Sequence, residues 1–228
     1  MLALENIVFV VAPIIAIAII LYMNFRFRIN SNRNMILAVL FGLISVMLVI
    51  VSQFIAEYLG LDSLRNIKRS LFYSFVIIAF AAELGKFVVL RYFFLPQKGF
   101  TGPLDGIIYA TLISLGFSTS AIILLKYDVF GANTDTLYLF IYPVASIVFA
   151  IIMGFFIGLG KSRQNRFIDS MTGLFVATFF HGLFNFSFIT GDNRLLILFA
   201  IGSVLIVVLL SVKALNIKVD DLKEKNSQ

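Results

Sequence analysis

The chain has no cysteine, no tryptophan and a single histidine. Charged residues fill only 13% of its 228 positions. Each shortage excludes something. Without cysteine there is no disulfide, no thiolate nucleophile and no sulfur-bound metal, and the redox compartment leaves no trace. Without tryptophan, anchoring at a membrane surface falls mainly to the 8 tyrosines. A charge content of 13%, against about 25% in soluble domains, is too small to clothe a water-exposed surface. What is present is apolar: 61% of residues are hydrophobic and 26 are phenylalanine. A net charge of +6 would raise nucleic acid as a partner in a soluble protein. Here Lys and Arg sit in short connections between apolar runs, where they set orientation in a bilayer, so no nucleic-acid partner is expected.

A helix rises about 1.5 Å per residue, so about 20 apolar residues cross a hydrocarbon layer roughly 30 Å thick. Seven runs qualify, near residues 7–23, 35–55, 71–94, 104–125, 137–160, 170–190 and 195–212. The expected fold class is therefore all-α, a polytopic transmembrane helical bundle of about seven spans. Residues 1–212 form one membrane domain, and 213–228 form a polar, frayed tail. No basic residue precedes the first run, which argues against a cleaved signal peptide. No internal repeat is visible, and nothing marks a broken helix.

Arg26, Arg28 and Arg33 follow the first run. Lys98 follows the third, Lys161, Arg163 and Arg166 the fifth, and Lys213, Lys218, Lys223 and Lys225 lie in the tail. By the positive-inside rule these connections and the tail are cytoplasmic and the N-terminus is outside, although Arg65, Lys68 and Arg69 pull the other way. The expected location is a bacterial cytoplasmic membrane.

Polar residues at mid-membrane depth carry the functional signal. Glu83 lies well inside the third run, and Lys86 follows at i+3, where the two can pair on one face. An ionised group there costs at least about 2.5–3.5 kcal/mol to insert, so such residues usually face a partner or a cavity. His181 lies at similar depth in the sixth run, with Asn185 at i+4 on the same face. An imidazole and a carboxylate can perform general acid–base chemistry, and an amide can hold an oxyanion. The bland alternatives are a self-neutralised Glu83–Lys86 pair and a His181–Asn185 contact that only glues helices together. The small residues around Ser114, Gly116, Ser118 and Ser120, and Gly154 with Gly158, read as packing faces. Pro143 bends the fifth span or opens its first turn.

Three motifs occur in a telling order: Ala82-Glu83-Leu84-Gly85-Lys86, then Asp105-Gly106-Ile107-Ile108-Tyr109 with Leu115-Gly116-Phe117, then His181-Gly182-Leu183-Phe184-Asn185. This stretch, roughly residues 70–190, resembles the PrsW family of intramembrane proteases, in the superfamily of CAAX prenyl endopeptidases and bacteriocin-processing enzymes. The resemblance implies a glutamic-type peptidase with Glu83, His181 and Asn185 as catalytic residues and Lys86, Asp105, Tyr109 and Phe117 in support. The family pattern also has glutamates where this chain has Ala82 and Ala121, and a methyl group takes no proton.

Three functions compete. One is an intramembrane peptidase with Glu83 activating water and His181 as acid–base partner. Another is an inactive pseudoprotease that binds or scaffolds a partner's transmembrane helix. The third is a small transporter or proton relay through Glu83, Lys86 and His181. In the first two the partner is a membrane-protein helix within the lipid bilayer. No cofactor and no metal ligand is expected, and the oligomeric state is not encoded.

Overall fold

The computed structural model describes residues 2–27, 32–62, 64, 66–127, 135–163 and 166–226. Arg28 and Arg65, used above for orientation, lie outside the described residues. Among the described residues seven helices follow one another, and no strand occurs. They are α1 (Leu2–Phe27), α2 (Asn32–Ser45 and Met47–Tyr58, broken at Val46), α3 (Ile67–Phe94), α4 (Pro103–Lys126), α5 (Thr136–Ser162), α6 (Arg166–Thr190) and α7 (Asn193–Asn226). Six are long and apolar enough to cross a membrane, and α1 contributes a shorter described apolar stretch, Ile7–Tyr22. The all-α membrane bundle expected from composition is the fold observed, and the protein is an integral membrane protein.

Small residues let the central helices touch backbone to backbone. A Cβ on Gly106 would fall 2.1 Å from the Gly154 carbonyl oxygen, and one on Gly158 would fall 2.6 Å from that of Gly102. The Gly154–Gly158 pair is thus the α4–α5 contact that its spacing announces. Gly116 meets Val39, and Gly42 meets Ile113, so α2 closes on the opposite side of α4. The serines of α4 belong to the same packing. Ser114 donates to the Ser146 carbonyl at 2.9 Å, and Ser118 shares a 2.6 Å bond with the Ser146 hydroxyl. Pro143 sits inside α5 rather than in its first turn.

One end of the bundle gathers the basic connections. Asn34 donates to Gln97 at 2.7 Å, and Lys161 to the Leu95 carbonyl at 2.7 Å. Arg91 donates to Ser170, and Lys218 to Thr101 at 3.0 Å. At the other end the α6–α7 turn passes through Gly191, whose φ of 65° suits a residue without Cβ. Beyond residue 212, where a frayed tail is expected, α7 continues as helix to Asn226.

Candidate active site

Helix α3 carries the acid and is not uniform. Tyr73–Phe80 and Leu90–Phe94 wind as π-helix, with i→i+5 bonds, and only Ala81–Val89 between them is α-helical. Wide turns of this kind leave carbonyls underused and are frequent at functional sites. Ser52 of α2 meets one of them, donating to the Ile77 carbonyl at 2.8 Å. The sequence carries no proline here to announce the distortion, because its support comes from a neighbouring helix.

Within the α-helical turn, Glu83 and Lys86 face the bundle interior, and both are buried. The Lys86 ammonium lies 2.5 Å from Glu83 Oε1, the i,i+3 pair expected from spacing. The same oxygen lies 2.7 Å from His181 Nδ1, on α6. Carboxylate and imidazole thus meet directly across 98 residues of chain. The aromatic rings of Phe117 and Phe149 flank the ammonium, their centroids 5.0 and 5.9 Å from Nζ. Phe149 also stacks on the His181 ring, with centroids 4.6 Å apart and planes inclined by 12°.

The proton at the contact follows from donor chemistry. A carboxylate only accepts, and Lys86 already donates to Oε1, so the short contact requires a hydrogen on His181 Nδ1. A neutral imidazole then presents a bare lone pair at Nε2. That atom is buried with no partner, as are Glu83 Oε2 and Asn185 Nδ2. Asn185 is held from its other side: the Tyr138 hydroxyl donates to Asn185 Oδ1 at 2.7 Å. Buried polar atoms rarely stay unpaired, so each of the three is a candidate partner for water or for a polar group of another molecule.

Of the residues expected in support, Lys86 and Phe117 reach this centre and two others do not. Asp105 accepts from the Thr101 amide at 2.7 Å and its hydroxyl at 2.6 Å, at the start of α4. Twelve residues separate it from Phe117, about 18 Å along a helix. Tyr109 stacks on Phe94 and Phe100, near the same end. Three neighbours were not singled out by sequence reasoning: Tyr138, Tyr142 and Phe149, all on α5. At about 100° per residue these three fall within about 40° of one another, an aromatic stripe that could have flagged them. Thr178, one turn before His181, is also buried with an unpartnered hydroxyl.

The profile of the PrsW family intramembrane metalloprotease matches residues 30–213. The chain belongs to this family. It is 29% identical over 178 residues to Protease PrsW of Oceanobacillus iheyensis, covering 77% of this chain and 79% of the relative. It is 26% identical over 177 residues to Protease PrsW of Geobacillus kaustophilus, covering 77% and 76%. No solved structure matches the chain.

The PrsW family description implies a metal. Among the described residues no three His, Asp or Glu side chains converge as a metal would need. Catalytic zinc takes three protein ligands, and this centre offers Glu83 and His181. The positions where the family pattern supplies further glutamates are Ala82 and Ala121, both buried. The residues present do not fit a metal ion.

Proposed function

We propose that this PrsW-family protein is an intramembrane endopeptidase that hydrolyses a peptide bond in a partner's membrane-spanning segment. His181 is the base, and Glu83 and Asn185 work beside it. One observation carries the reading: Glu83 Oε1 takes both Lys86 and His181 Nδ1, leaving Nε2 of the imidazole buried and unpartnered. This reverses the roles expected from sequence, in which Glu83 itself activates water. Glu83 here fixes the tautomer and orientation of the ring, and Lys86 offsets the charge of the carboxylate.

In this reading Nε2 takes a proton from water as the oxygen attacks the scissile carbonyl carbon. The carbonyl oxygen gains the negative charge and faces the Asn185 Nδ2 donor. The tetrahedral adduct collapses with cleavage of the C–N bond, and the proton on Nε2 passes to the leaving amine. The two bacterial relatives support a bacterial cytoplasmic membrane, and the basic end of the bundle supports an inward-facing tail with the N-terminus outside.

Ala82 and Ala121 favour a second reading, an inactive member of the family that binds a transmembrane helix without cutting it. Purified protein in liposomes, mixed with single-span reporter substrates, separates the two. The peptidase reading expects cleavage that is lost in Glu83→Ala and in His181→Ala. Cleavage that survives both substitutions overturns the assigned centre. A wild-type protein that cuts no reporter, together with an Ala82→Glu/Ala121→Glu variant that does, establishes the inactive reading.

A further inference from the structure

Asn185 is useful as an oxyanion donor only if its amide presents Nδ2, not Oδ1, to the reacting carbonyl. The two ends of a carboxamide are nearly the same size, so packing alone does not choose between them. A hydrogen bond holds one of them in place. The Tyr138 hydroxyl lies 2.7 Å from Asn185 Oδ1, and Nδ2 is left bare. Tyr138 is itself fixed by three rings: Tyr142 at 5.3 Å, Phe184 at 5.3 Å and Phe188 at 5.1 Å between centroids. It reaches α6 from α5, so the amide is set by a different helix from the one that carries it.

We infer that Tyr138 is a positioning residue: its hydroxyl locks the Asn185 carboxamide with Nδ2 toward the reaction centre. This rests on the peptidase reading above. The hydroxyl can meet either end of the amide, but the flipped amide would turn its Oδ1 acceptor toward the oxyanion, so the arrangement found, with Oδ1 on Tyr138, is the one the developing charge favours and the Tyr138 bond holds. Loss of the hydroxyl frees the amide to turn, and the donor is present only part of the time.

The test compares Tyr138→Phe, which keeps the ring and its stacking, with Asn185→Ala and the double variant, in liposome cleavage assays. Removing an oxyanion donor costs about 10²–10³ in kcat, which sets the loss expected for Asn185→Ala. Tyr138→Phe is expected to lose roughly tenfold or more in kcat, within that limit, with KM little changed. In the Asn185→Ala background the same substitution should add nothing, since there is no amide left to orient. A structural role would instead add its loss in both backgrounds, and that result overturns the proposal. A second readout needs no catalysis: in protein labelled with ¹⁵N-asparagine, the Asn185 side-chain pair, assigned by its disappearance in Asn185→Asp, should shift and broaden in Tyr138→Phe. An unchanged pair also overturns it. Wild type that cleaves no reporter defeats the peptidase reading, and the positioning role with it. Wild type that cleaves, matched by an equally active Tyr138→Phe, defeats the Tyr138 inference alone.

Discussion

Replacing Lys86 with methionine removes the buried cation and keeps most of its volume. The structure sets the size of the effect. At 2.5 Å between Nζ and Oε1, and an effective dielectric of about 20, the attraction is about 6–7 kcal/mol. Desolvating the two ions takes back much of that, so the pair is of small net benefit to the fold. Removing one partner is different, because it strands the Glu83 carboxylate in a buried site, a change that typically costs about 3–5 kcal/mol. Lys86→Met should therefore lose about that much stability. The double variant Glu83→Gln/Lys86→Met should recover most of it: no charge remains, and the glutamine oxygen still accepts from His181 Nδ1. The assay is titration with sodium dodecyl sulfate in mixed micelles, followed by circular dichroism of the helices. A loss below about 1 kcal/mol for Lys86→Met, or a double variant as unstable as the single one, would refute the buried-pair argument.

Other consequences are equally direct. Gly154→Leu would drive a Cβ to 2.3 Å from the Gly106 oxygen and should destabilise by at least about 1–3 kcal/mol in the same titration, whereas Gly99→Ala, in open space, should be silent. Elemental analysis of the purified protein should find metal far below one ion per chain, and chelators should leave reporter cleavage unchanged; a retained stoichiometric ion lost in His181→Ala would contradict the donor count. Ala82→Glu/Ala121→Glu should raise the rate of cleavage by restoring the family's carboxylates. Single cysteines at Lys98 and Lys223 of this cysteine-free chain should be labelled from the cytoplasmic side and one at Asp192 from outside; a residue 223 reached only from outside would reverse the topology.

The parts of this centre that were legible in the sequence are those fixed by one helix. Glu83 with Lys86, and His181 with Asn185, share a face because i+3 and i+4 spacing forces them to. Their common depth suggested a meeting of α3 with α6, but depth says nothing about rotation around each axis, so the 2.7 Å contact is learned only from the fold. The partner of Asn185 was hidden for the same reason. Tyr138 finds it through the packing of α5 against α6, which no spacing within either helix encodes. The π-helical turns of α3 are likewise a property of the bundle, supported in part by Ser52 on α2. Past residue 212, polar composition suggested fraying, yet a long helix already formed propagates cheaply through residues such as Lys, Leu and Ala.

The proposed peptidase requires a neutral His181, with its proton on Nδ1 toward Glu83 and a bare Nε2. His181 is the single histidine of the chain, so ¹⁵N-histidine labelling gives a spectrum of this one ring without assignment. Nitrogen chemical shifts in lipid at neutral pH should show one protonated nitrogen, Nδ1, and one unprotonated nitrogen, Nε2, and the Glu83→Ala variant should lose that preference. A proton on Nε2 in the wild type, or on both nitrogens, would contradict the account.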